Sequence, residues 1–361
     1  MESIIFAILF IVLEGFYFST MKKIPQSLRN KIFAILVFFQ LFIPAALRHV
    51  DVYNDSLAYA THFKNIMPNA VFSINVYERF EVGYQILENF VFLKISKSPV
   101  ALFIITSFFI QLSYVIFFYR FSKAFWFSIF LYLGLTHYFF TVSGIRQGIA
   151  IAVFNFAFIF LINKRWIWYC LIVILAAQFH SSAYLLLCMP LLHMVRLSKK
   201  TLMVFILVIL FNYLFLGDIL DVFFSFFPNY GTDYLGKEMI SESKTGLYLI
   251  LGTYFVGLLV IIKNFDFKNY SHSEKYMLFF YIALVMFLVL SIKISILIRY
   301  TYYFIPVSII ILTNSCFKIK NIVDRAIMYG FWIILLTIQI MIILTYRPDW
   351  FMVTPYKFYW D

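Results

Sequence analysis

The chain is predicted to be an all-α, polytopic membrane protein with about 12 transmembrane helices (a range of about 10–14), a single integral membrane domain over residues 1–361 and no soluble domain. Three observations carry that prediction. Hydrophobic residues make up 63% of the 361 and charged residues only 13%, with a mean hydropathy of +0.91, whereas soluble domains average about 45–50% apolar and about 25% charged. The 47 phenylalanines and 26 tyrosines suit lipid-facing surfaces and interfacial belts. The apolar residues also fall into long runs separated by short basic loops.

The runs cover residues 3–20, 31–47, 99–119, 124–142, 144–162, 166–180, 182–195, 201–217, 246–262, 276–292, 297–315 and 326–346. Most approach the ~20 residues a spanning helix needs. The pair around His180 is short and reads either as two spans or as half-helices meeting at a break, which a water-lined cavity tolerates. The first run lacks a basic n-region and a small-residue cleavage site, so it is not expected to be a cleaved signal.

Lys22 and Lys23 follow the first run and place that loop in the cytoplasm. Alternating from there puts both termini outside. The inner loops then collect seventeen of the 29 basic residues, from Lys22 through Lys164 and Arg165 to Arg325, against only Asp266, Glu274 and Asp324. That asymmetry is what the positive-inside rule expects. It also assigns the net charge of +12 to topology rather than to nucleic acid, which is excluded as a partner. Cys170, Cys188 and Cys316 have no paired spacing, which argues against a zinc site or a disulfide framework.

Two extracytoplasmic loops, 48–98 and 218–245, are longer than a connection requires. The second carries Asp218, Asp221, Asp233, Glu238 and Glu242. Around the outer ends of the spans stand Arg48, Asp51, Asp55, Glu78, Arg79, Glu81, Arg146, His180 and Arg299, while Glu14 lies within the first run and is expected to pair internally or stay protonated. Ionisable groups are costly in hydrocarbon and are candidate site residues by default. The competing assignment for Asp51, Glu78 and Arg79 is interfacial solvation, and for His180 a satisfied packing histidine. Arg146 opens a helix, where its charge opposes the macrodipole, so a purely structural role fits it poorly.

The planar guanidinium forks of Arg48, Arg146 and Arg299 suit phosphate oxygens. Asp55, Glu81 and His180 compete as the group that takes a proton from an attacking hydroxyl. Tyr59, Tyr84, Tyr302 and Tyr356 offer flat faces and hydroxyls to sugar rings, although most of the tyrosine surplus belongs to the interfacial belt. No HExxH, CxxC, P-loop or dinucleotide glycine pattern occurs, so zinc hydrolysis, nucleotide-driven transport and redox chemistry are not expected. No cofactor and no metal is predicted.

Arg48 with YNDSLAY (Asp55, Tyr59), EVGY (Glu81 to Tyr84), IRQGIA (Arg146), LAAQFHSSA (His180), RYTYYF (Arg299) and the late TPY (Tyr356) follow one another in an order that resembles the EpsG family, the Wzy-like polymerases of exopolysaccharide, capsule and O-antigen pathways. The resemblance runs from residue 48 to residue 356. One departure is Tyr53, two residues before Asp55, where the family usually has glycine. The resemblance implies a polymerase of the bacterial cytoplasmic membrane that joins undecaprenyl-pyrophosphate-linked oligosaccharide repeat units at the outer face. It also implies a chain-length regulator and a flippase of the same pathway as partners. In that setting Asp55, Glu81, His180 and Arg146 are the expected catalytic residues, with Arg48, Arg299, Tyr59, Tyr84, Tyr302 and Tyr356 binding substrate. A flippase or other transporter of the lipid-linked unit should show internal repeats and midplane polar residues, and neither is evident. A ligase moving polysaccharide onto lipid A and a membrane acyltransferase are the remaining alternatives.

Overall fold

Each of the twelve apolar stretches is helical in the computed structural model, which describes residues 2–21, 23–66, 80–217 and 245–361. Among these residues the only β-type pairing is an isolated antiparallel bridge between Arg48 and Phe358. Lys22, Glu78, Arg79 and the acidic residues of loop 218–244 lie outside the described residues. The chain divides into two compact units, residues 1–187 with 321–361, and residues 188–320.

The first unit contains α1 (Glu2–Thr20), α2 (Gln26–Ala46), α3 (Ser56–Lys64), α4 (Val82–Lys94), α5 (Pro99–Phe121), α6 (Phe125–Gly134), α7 (His137–Ser143), α8 (Ile145–Ile162) and α9 (Trp166–Ala177). A 3-10 segment, Ser181–His193, leads out of it, and α14 (Ile322–Tyr346) returns with the C-terminal tail. In the second unit are α10 (Lys199–Leu214), α11 (Thr245–Asn264), α12 (His272–Ser291) and α13 (Ile298–Phe317).

Seven helices among the described residues are long and apolar enough to cross a membrane, namely α2, α5, α8, α11, α12, α13 (counted from Ser295) and α14; the bent pair α6–α7 makes eight if taken as one span. This is fewer than the expected twelve, and the reason is length. The helix of α9 stops at Ala177, and after a break at 178–180 the chain continues as the short 3-10 segment, so the polar FHSS stretch interrupts two short apolar pieces. The chain is a helical, multi-pass membrane protein. Residues 48–98, read above as loop, carry two short helices, α3 and α4.

In the first unit α5 packs between α2 and α8, α8 lies against α9, and α1 lies against α2 and α6. Helix α5 starts as its sequence dictates, with Ser98 extended and Pro99 in the first turn, where the missing N–H costs nothing. Helices α6 and α7 meet at 64° around Thr136, which has a φ of 60°, a left-handed conformation that is costly for a β-branched residue. The bend is held by buried polar contacts: Tyr114 Oη with His137 Nε2 at 2.7 Å, and Tyr132 Oη with Thr141 Oγ1 at 2.8 Å. The Tyr114 and Tyr132 rings stack with centroids 4.5 Å apart. Satisfied polar groups of this kind join helices in hydrocarbon.

The second unit is built on α12, which packs against α10, α11 and α13. Ser271 and Glu274 form a reciprocal capping box at its start, satisfying two otherwise orphaned backbone donors. Glu274 also accepts from Lys318 Nζ at 2.5 Å. Exposed apolar side chains line α1 (Phe6, Phe10, Leu13), α10 (Met203, Leu207, Phe211) and α14 (Ile327, Ile334, Ile338). Apolar faces of this extent are lipid-facing surface in a membrane protein. Glu14, inside the first run, accepts from Gln40 Nε2 at 2.7 Å, the internal pairing expected of it.

Candidate functional site

One end of the first unit gathers the last turn of α2, the N-termini of α3, α4 and α8, the C-terminus of α9 and the tail after α14. The centre is an ion pair. Arg146, in the first turn of α8, donates from Nη1 to Glu81 Oε2 at 2.6 Å, with side chains 15% and 18% exposed. Glu81 precedes α4, and its other oxygen accepts from the Ser181 backbone N–H at 2.9 Å. A single carboxylate thereby ties α4, α8 and the break after α9 together. The guanidinium carbon of Arg146 also lies 4.4 Å from the centroid of the Phe80 ring, a cation–π arrangement.

Two glycines permit this closeness. A Cβ on Gly83 would sit 2.8 Å from the Gln178 carbonyl oxygen, which accepts from the Gly83 N–H at 2.8 Å. A Cβ on Gly148 would come within 2.7 Å of the Thr141 carbonyl oxygen. The glycine of IRQGIA thus lets α8 start directly against α7 and sets where Arg146 emerges.

Tyr59, on α3, lies within hydrogen-bonding reach of Arg146. Burial pushes its pKa up, Arg146 partly offsets that, and the nearby Asp55 carboxylate raises it further. Asp55 is exposed at the N-cap of α3. Tyr59, Phe80 and Tyr84 form an aromatic wall, with ring centroids 5.3–5.9 Å apart. His62 Nδ1 and the buried carboxylate of Glu88 meet at 2.8 Å and fasten α3 to α4. His180, half-buried just past α9, pairs through Nδ1 with Ser182 Oγ at 2.6 Å.

Arg48 lies elsewhere in this end of the unit and is only 1% exposed. It donates from Nε to Ser56 Oγ at 2.9 Å and from Nη1 to the Ala45 carbonyl, with the Phe103 ring centroid 3.9 Å away. Its Nη2 has no hydrogen-bond partner among the described residues. Burial pushes the guanidinium pKa down to about 10, opposed by the surrounding tyrosines Tyr53, Tyr356, Tyr138 and Tyr59. It therefore stays charged at neutral pH. The residue before this turn's close, Tyr53, has a φ of 67°, the left-handed region that glycine occupies without strain.

The tail folds back over Arg48. Backbone bonds join His49 N–H to the Lys357 carbonyl, Tyr53 N–H to Met352 and Tyr359 N–H to Leu47, all at 2.9–3.0 Å. Tyr356 donates its hydroxyl to the Pro44 carbonyl.

Of the residues expected in the site, Asp55, Tyr59, Glu81, Tyr84, Arg146 and His180 come together, and Arg48 and Tyr356 form the packed layer beside them. Arg299 and Tyr302 belong to the second unit, on the first turns of α13, with Arg299 exposed and Tyr302 half-buried. Phe80, the Ser181 N–H and the Gln178 carbonyl were not anticipated. Phe80 adjoins the EVGY segment, whereas the backbone groups leave no mark in sequence.

A sequence model of the EpsG family matches residues 31–358. Neither a curated protein nor a solved structure matches the chain significantly. Membership and helical membrane architecture together fit a polysaccharide polymerase in general terms. With nearly the whole chain matched and the motif residues of α3, α4, α8 and α9 gathered at one end of the first unit, this protein belongs to the EpsG family.

Proposed function

We propose that the protein is a glycosyltransferase of the Wzy type, which joins undecaprenyl-pyrophosphate-linked oligosaccharide units into O-antigen, capsule or exopolysaccharide at the outer face of the bacterial cytoplasmic membrane. The observation that carries the reading is the Arg146–Glu81–Ser181 constellation, a fixed and partly exposed guanidinium beside Tyr59 and Tyr84. The growing chain on its lipid pyrophosphate is the donor and a hydroxyl of a second unit is the acceptor. That hydroxyl attacks the anomeric carbon, the C–O bond to pyrophosphate breaks, and the lipid pyrophosphate departs. One displacement inverts the anomeric centre.

Arg146 stabilises the charge that develops on the leaving oxygen, with planar two-point donation to phosphate oxygens. Glu81 accepts from Arg146 and from Ser181, so its role in this reading is to aim the arginine. Asp55 or His180 then takes the acceptor proton. Arg48, sealed beneath the tail, acts as a positioning residue for α3 rather than as a contact to substrate. A chain-length regulator and a flippase belong to the same reading as partners.

The test is the surface-polysaccharide profile after deletion of the gene. Loss of the long-chain ladder with a single unit still transferred is the expected outcome. Loss of the single unit as well would point to a flippase or ligase, and an intact ladder with altered substituents to an acyltransferase.

A further inference from the structure

The end of the first unit where the tail folds back holds a cavity of about 370 Å³ between the 49–54 turn and the tail. Its polar lining is Asp51, Asp349, Thr354 and Lys357, and its apolar surface includes Pro348 and Pro355. The volume lies within the range of small-ligand sites. Its walls are tied rather than loose: the tail's backbone pairs with the turn at two places, through His49 and Tyr53, and Asn54 Nδ2 donates to the Asp349 and Trp350 carbonyls at 2.9 and 3.1 Å.

The lining has the chemistry of a saccharide site. Ionised carboxylates accept from paired hydroxyls, and an ammonium and a hydroxyl donate to ring and hydroxyl oxygens. The proline faces suit the C–H side of a sugar ring. Asp51 pairs with His49 at 3.2 Å and Asp349 with Arg347 at 3.0 Å, yet both carboxylates stay more than half exposed. The Arg347 hydrogen bond holds the Asp349 carboxyl below the usual range, so it is an acceptor at neutral pH.

The chain itself links the cavity wall to the candidate reaction centre. The turn that supplies Asp51 and Val52 runs directly into Asp55, whose carboxylate neighbours Tyr59, and Tyr59 neighbours Arg146. We propose that this cavity seats the acceptor glycan, holding sugar residues of the incoming unit so that a hydroxyl reaches the Asp55 side of the centre. The proposal rests on the polymerase reading and adds to it the location of the second substrate.

Binding to the purified full-length protein in detergent tests it without polymerisation. The probe is a set of oligosaccharides released by acid hydrolysis from the producing cell's own surface polysaccharide, and the readout is saturation-transfer NMR together with intrinsic tryptophan fluorescence. Wild type should bind saturably, while the double variant Asp51→Asn/Asp349→Asn should bind about tenfold more weakly. Lys357→Gln, on the exposed tail, should weaken binding by a smaller factor and serves as the deciding variant if the double variant does not fold. Absence of binding to wild type at millimolar glycan, or equal binding by wild type and the folded variants, would overturn the proposal. An unchanged ladder after gene deletion would instead remove the polymerase reading, whatever the glycan binding shows.

Discussion

Arg48 and Arg146 look equivalent in the sequence, each an arginine at the end of an apolar run, yet they sit in opposite environments. Arg48 is buried with no carboxylate among the described residues in its hydrogen-bonding set, held by a serine, a carbonyl and an aromatic face. Arg146 is partly open and fixed by Glu81, which is itself fixed by Ser181. A sealed guanidinium organises its surroundings, and an open, aimed one is able to meet an anion. The difference comes from partners and access, not from the residue type.

The sharpest way to break this contrast is Arg146→Ala. Polymer formation should fall at least ~10²-fold, the scale for losing one donor to transition-state charge, while the protein remains in the membrane at wild-type amount. Arg146→Lys should fail nearly as badly, because an ammonium lacks the planar fork. Long chains made by either variant would remove Arg146 from the reaction.

Glu81→Gln comes next. The amide oxygen still accepts from Ser181, but the ion pair to Arg146 is lost; charge-assisted hydrogen bonds contribute ~1.5–3 kcal/mol. Initial polymerisation rates should drop roughly 10- to 100-fold with little change in melting temperature. An undiminished rate would show that the arginine needs no carboxylate to aim it.

Arg48→Met sharpens the comparison from the other side. It keeps the length of the side chain but leaves Ser56 and the Ala45 carbonyl without their donor, at a cost of about 1–3 kcal/mol for each buried group left unsatisfied. The expected signature is a lower melting temperature and earlier protease cleavage of the tail, with activity reduced in proportion to folded protein. A full loss of activity at unchanged stability would place Arg48 with Arg146 after all.

The smallest expected effect is at Met352, whose φ of 47° strains a non-glycine residue by about 1–2 kcal/mol. Met352→Gly should raise the melting temperature slightly or leave it unchanged, since glycine's extra unfolded-state freedom offsets roughly 0.5–1 kcal/mol of that relief. A clear drop would mean that the side chain contributes more to the cavity wall than its half-exposed position implies.

Hydropathy by itself determined the class of this protein, the positions of its twelve helical stretches and the polar breaks at IRQGIA and FHSS, because transfer of apolar residues out of water is a local property of each run. It also marked which ionisable residues stand at run ends, where their solvation cost makes them conspicuous. What it left open required partners distant in the chain. Glu81 and Arg146 are joined across 65 residues and Asn54 and Asp349 across 295, and no local pattern encodes such a choice. Span lengths followed from where backbone hydrogen bonding stops, as at Gln178 and Thr136, rather than from composition. Only the tertiary structure decided which arginine is sealed and which is open, because burial is a property of what packs around a side chain, and here that was settled by a tail folding back onto the turn after α2.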